Sequence, residues 1–122
     1  MTSHILFGSK KAEYYFKEGC HITELSNSEV DPEVSIARAR LEPGKATRWH
    51  ALKDTKERYL ILQGTGLVEA GDLAPTQVNP GDSVIIAPED KQRIKNTGES
   101  DLVFLAICSP RFEMGNYVDL ED

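Results

Sequence analysis

Apolar positions in this chain come in short bursts, and each burst ends at a cluster of turn-forming residues. Val34–Leu41, Arg58–Leu62, Val84–Ala87 and Leu102–Ile107 are rich in β-branched and aliphatic side chains, which suit a pleated strand. Around them stand Ser26-Asn27-Ser28, Pro43-Gly44, Gly64-Thr65-Gly66, Asn79-Pro80-Gly81-Asp82 and Asn96-Thr97-Gly98. Turn signals spaced about 8–12 residues apart are the rhythm of an all-β sandwich or barrel. No window holds a sustained helical period. The one ambiguous stretch, Lys10–Glu18, carries Tyr14-Tyr15-Phe16 at its centre and is predicted to be extended.

Roughly ten short strands in a chain of this size would leave long open edges unless they closed on themselves. A double-sheet jelly roll is the natural closure, so the expected fold is an all-β jelly-roll barrel. The length of 122 residues fits one domain with its own core. Its expected parts are N-terminal strands within residues 1–30, a barrel over 34–110 and a C-terminal tail over 111–122. No linker, repeat or low-complexity run divides it, and the acidic end Asp119–Asp122 is expected to fray.

Fourteen basic against twenty acidic side chains give a net charge of −6. That balance argues against nucleic acid or an anionic membrane surface as a partner. Cys20 and Cys108 are far apart and form no C-x-x-C pair, so neither a disulfide framework nor a zinc knuckle is expected. The opening residues hold only a three-residue apolar run, Ile5-Leu6-Phe7, before a turn and lysines, unlike a secretory signal. The longest apolar run, Leu102–Cys108, is too short to cross a bilayer. A cytoplasmic protein is the expectation.

One stretch carries the candidate chemistry. Pro43-Gly44 is followed after five residues by His50, then Leu52, then after four residues Glu57, and after six more Gly64. A second stretch runs Gly81-Asp82, a β-branched run, Pro88-Glu89-Asp90, Gln92 and Asn96. The chain thereby resembles the small single-domain cupins of the RmlC-like jelly-roll superfamily. In their first signature a second histidine stands where Leu52 does here, and in their second a histidine stands where Gln92 does.

Residues two apart on a strand share a face. If His50 points inward, so do Arg48 and Leu52, while Thr47, Trp49 and Ala51 face out. An inward Glu57 brings Tyr59, Ile61 and Gln63 with it. An inward Gln92 brings Ile94 and Asn96, leaving Arg93 and Lys95 in solvent. The expected cavity lining is therefore Arg48, His50, Glu57, Tyr59 and Gln92, a few polar groups converging in an apolar hollow. Two readings stay open for several of them. Arg48 pairs with Glu57 or clamps a ligand carboxylate or phosphate; His50 is a hydrogen-bonded barrel residue or a metal ligand; Tyr59 packs the core or touches ligand.

The resemblance implies a divalent first-row ion (Fe, Mn, Ni, Cu or Zn) held by imidazole and carboxylate. Here that set reduces to His50, Glu57 and Gln92, a weak donor set. It also implies a homodimer joined through the N-terminal strands. Two functions follow as expectations: a sugar-phosphate-isomerase-like or dioxygenase-like enzyme acting on a small polar or acidic metabolite, or a non-catalytic, metal-free ligand-binding or sensor cupin.

Overall fold

The computed structural model describes residues 2–121. The strands in chain order are β1 (Tyr14–Phe16), β2 (Cys20–Ser26), β3 (Ser35–Leu41), β4 (His50–Leu52), β5 (Lys56–Gln63) and β6 (Gly66–Ala70). They continue with β7 (Thr76–Val78), β8 (Ser83–Ile86), β9 (Gln92–Asn96), β10 (Leu102–Ser109) and β11 (Tyr117–Asp119). Helix is confined to two single 3₁₀ turns, Gly8–Lys10 and Met114–Asn116, so no helix among the described residues is long and apolar enough to cross a membrane. Six strands form one antiparallel sheet in the order β1-β2-β3-β10-β5-β8, and five form the other in the order β11-β4-β9-β6-β7. This is the all-β jelly roll that the turn rhythm predicts.

Period-two alternation makes these strands. Along β5, Glu57, Tyr59 and Ile61 are buried while Lys56 and Leu62 are exposed. Along β9, Gln92, Ile94 and Asn96 are buried and Arg93 and Lys95 turn outward, Lys95 fully so. The apolar members of both sheets meet in a single cluster that includes Leu41, Ile61, Ile86, Ile94 and Leu102. Packing of two half-apolar faces against one another is what stabilises such a sandwich. Glycine is demanded where the chain leaves β5: Gly64 has φ +83°, and a Cβ there would stand 2.6 Å from the Asp101 carbonyl oxygen.

Three expectations need correction. Gln63, predicted inward, is exposed, because the β5–β10 register shifts at Val103/Phe104, where Gln63 pairs. The strand bearing His50 begins only at that residue, so strict alternation does not extend back to Arg48. Thr47 is buried, its hydroxyl accepting from the Ile94 N–H at 3.0 Å, and Arg48 turns outward. The C-terminal segment is also more than a tail. Strand β11 pairs with β4, Tyr117 opposite Leu52 and Asp119 opposite His50; of the predicted frayed end, Asp122 lies outside the described residues.

Candidate active site

A small cavity of about 60 Å³ opens between the two sheets beside the start of β4. Phe16, Phe112, Leu52 and Tyr117 supply apolar wall, while His50, Glu18, Glu24 and Glu57 supply the ionisable groups. Two of the five sequence-predicted residues, His50 and Glu57, line it. Tyr59 and Gln92 stand behind it, buried, with the Tyr59 hydroxyl donating to Gln92 Oε1. Arg48 is outside, its Nε donating to Asp119 Oδ2 at 3.0 Å. The predicted Arg48 clamp and the Arg48–Glu57 pair are therefore both replaced by a surface ion pair across β4 and β11.

His50 is 2% exposed, and both of its ring nitrogens are engaged inside the protein. Nδ1 lies 2.6 Å from the Arg48 carbonyl oxygen. A carbonyl only accepts, so that nitrogen carries the proton. Nε2 lies 3.1 Å from Glu18 Oε2, so the imidazole edge faces that carboxylate. The Tyr117 ring stacks on the imidazole at 5.2 Å and 18°, fixing its plane.

Glu18 comes from a part of the chain to which sequence reasoning assigned no chemistry. β1 and β2 are joined by a tight hairpin in which the Gly19 N–H donates to the Phe16 carbonyl at 2.9 Å. Gly19 has φ +104°, and a Cβ there would meet the Ala46 carbonyl oxygen at 3.1 Å. The hairpin also docks through the Arg48 N–H, which donates to the Glu18 carbonyl at 2.7 Å. These contacts aim the Glu18 side chain inward, where its Oε1 accepts from the Cys20 thiol at 3.1 Å. Cys20, beside that carboxylate, has its thiol pushed far up, by burial first and then by the Glu18 charge.

Glu57 is 8% exposed. Burial first, and then the Glu18 charge, push its carboxyl up to about 8, against the opposing pull of side-chain contacts from Gln92 and Cys108. Removing a carboxylate from water without a cation to compensate has this effect. The Cys108 thiol lies 3.8 Å from Oε2. Oε1 has no hydrogen-bond partner, and neither has the buried Tyr117 hydroxyl. Unpartnered buried polar atoms are uncommon in folded proteins, and these two belong to the same cavity. Phe112 is held in its wall by the Ser35 hydroxyl, which accepts from the Phe112 N–H at 2.8 Å. The Asn27 amide donates to the Phe112 carbonyl at 3.0 Å.

A divalent ion at His50, Glu57 and Gln92 does not fit these donors as they stand. Nε2 faces Glu18, Gln92 Oε1 already accepts from Tyr59, burial holds Glu57 toward its protonated form, and Leu52 adds no donor. Among the described residues, no group of three His, Cys, Asp or Glu side chains is placed to hold a metal ion.

Glu18 and Tyr117 were not picked out from the sequence. Glu18 sits in a turn and Tyr117 in a three-residue strand, so neither belongs to a long periodic run; only the Glu18-Gly19 pair hints at a constrained turn. Trp49, expected to face out, lies under Arg93 and Lys91, whose charged groups stand 4.5 and 5.5 Å from its ring centroid.

Comparison with known proteins agrees with this architecture. An uncharacterised protein of Methanocaldococcus jannaschii is 32% identical over 101 residues, which span 81% of this chain and 80% of that one. A glucose-6-phosphate isomerase of Pyrococcus abyssi is 30% identical over 95 residues, 68% of this chain; the match spans half the isomerase's length. Among solved structures, a predicted oxalate decarboxylase from Thermotoga maritima superposes with a TM-score of 0.75 at 23% identity, covering 88% of this chain and 99% of that one. A Streptomyces PAC13 variant with uridine superposes with a TM-score of 0.81 at 15% identity, covering 99% and 93%. At such identities the structures share the fold. Residues 37–108 match the cupin domain model, and the chain belongs to the cupin domain family.

Proposed function

We propose that this cupin is a small-molecule enzyme whose cavity performs proton transfer, with Glu57 as the acid–base group. One observation carries the reading: a buried carboxyl, held near 8 and with one oxygen unpartnered, faces the same hollow as a paired His50 and Glu18. A group that titrates close to neutral pH is suited to give and retake a proton within one catalytic cycle. Glu18 and His50 act as a positioning pair. Burial first, and then the Glu18 charge, raises Glu57 to about 8, so near neutral pH its protonated form can give a proton and its ionised fraction can take one from carbon. The reaction class that fits is elimination or isomerisation at a carbon next to a carbonyl. No step is routed through a metal ion.

The isomerase relatives do not extend their substrate to this chain. Among the described residues no lysine or arginine lines the cavity, so a sugar phosphate would find no cation there. A second reading, a metal-free binding module, is favoured by the engagement of both His50 nitrogens and of Gln92. A homodimer through the free edge of β1, where Tyr14 and Tyr15 are exposed, and a cytoplasmic setting belong to the same proposal.

The test is solvent hydrogen exchange into a panel of small carbonyl compounds in D₂O, followed by proton NMR. The intact chain should exchange at least one compound, and Glu57→Gln should slow that exchange by about 100-fold or more. Equal rates in the two proteins would contradict the acid–base role, and no exchange with any compound would favour the binding module.

A further inference from the structure

We infer that the ligand of this cavity carries an ammonium or similar cationic donor on a small apolar or aromatic body, which rests on the cavity reading above. The sign of the lining is the first argument. Three carboxyl groups (Glu18, Glu24 and Glu57) line the hollow with no lysine or arginine among the described residues. Neighbouring cations are engaged: Arg48 with Asp119, Arg111 with Asn27 Oδ1 at 3.0 Å, and Lys17 over the Tyr117 ring, its Nζ 4.9 Å from the centroid.

Hydrogen-bond supply points the same way. An anion needs donors, and His50 has none to give: Nδ1–H goes to the Arg48 carbonyl and Nε2 faces Glu18. The Asn27 amide is committed to the Phe112 carbonyl. What the cavity holds unpartnered is oxygen: Glu57 Oε1, and the Tyr117 hydroxyl, which can accept as well as donate. An ammonium offers donors to such oxygens and lets Glu57 ionise beside Glu18; a carboxylate or phosphate would set a further negative charge among the carboxyl groups of Glu18, Glu24 and Glu57.

Shape supplies the third argument. Phe16 packs edge-on against both Phe112 and Tyr117, with centroids 6.4 and 5.3 Å apart. These rings form an apolar wall next to the carboxyl groups, and aromatic faces also attract a cation. An aromatic amine matches wall and charge together, which neither feature alone would specify.

The experiment is an amide NMR titration of the intact chain at neutral pH with three probes of one shape and different charge: benzylamine, benzyl alcohol and benzoate. Benzylamine should shift the amides of Leu52 and Tyr117 and bind about tenfold or more tighter than benzoate, the scale of one partly buried charge contact. Glu24→Gln, at a half-buried position that does not endanger the fold, should weaken benzylamine several-fold and leave benzyl alcohol unchanged. Benzoate binding as tightly as benzylamine, or alcohol and amine binding equally, would overturn the charge assignment while leaving the cavity reading intact. Failure of all three probes to shift any cavity amide would sink the cavity reading and this inference with it.

Discussion

Two buried polar side chains from the cupin signatures, Asn96 and Glu57, have opposite fates in this barrel. Asn96 is 1% exposed and fully satisfied. Its amide donates to the Leu41 and Ser100 carbonyls at 2.9 and 2.8 Å, and its oxygen accepts from the Gly98 N–H at 2.9 Å. Glu57, nearly as buried, keeps an oxygen with no partner and is forced to hold its proton. One end of the barrel is closed by a polar group that ties three segments together; the other is left open around a polar group short of partners. The contrast separates a residue that maintains the fold from one that awaits a ligand, although burial alone would class them together.

The largest expected effect is at Asn96. Asn96→Ala leaves two carbonyls and an N–H unpaired in the interior, and should cost about 3–5 kcal/mol in denaturant unfolding. Binding of cavity probes to the folded fraction should be unchanged. A cost below about 1 kcal/mol would erase the distinction.

Glu18→Ala comes next, at about 2 kcal/mol, because it removes the partner of a buried imidazole. It should also move the Glu57 carboxyl downward, since the Glu18 charge helps to raise it. A Glu57 titration unmoved in this variant would show that burial alone sets it.

Stability should also fall with rising pH. Glu57 titrates at 4.5 when unfolded and at about 8 when folded, so between those values the native state holds a proton that the unfolded chain has released. Stability from this group is complete below the lower value and is lost through the upper one, with a slope approaching about 1.4 kcal/mol per pH unit. Glu57→Gln should flatten that part of the profile, and a profile identical to the parent chain's would contradict the assignment. The smallest effect is expected at Arg48→Ala, under about 0.5 kcal/mol for an exposed pair, with probe binding unchanged. A large loss of binding there would restore the inward Arg48 that the sequence alternation predicted.

The barrel was legible because strand alternation and glycine turns are local properties: β5 and β9 present the predicted buried set from Glu57 to Ile61 and from Gln92 to Asn96. Half of the site was not legible, for two physical reasons. Alternation holds only inside a strand, and β4 begins at His50, so extending the pattern to Arg48 placed that side chain on the wrong face. The partners that define the chemistry, Glu18 and Tyr117, arrive from opposite ends of the chain on a three-residue hairpin and a three-residue strand. Their positions depend on long-range pairing that no local pattern encodes. Leu52 and Gln92 stand where the resemblance expects imidazoles, and His50 faces instead a carboxylate from outside the signatures.

The central claim is that Glu57 stands in the cavity as a neutral acid. Carbon-13 NMR of the glutamate side-chain carboxyls, with the Glu57 resonance assigned by its absence in Glu57→Gln, reads this directly. The account predicts a midpoint near 8. A midpoint at the ordinary value near 4.5 would contradict it, leaving Glu57 an ionised wall residue and removing the proton on which the proposed chemistry depends.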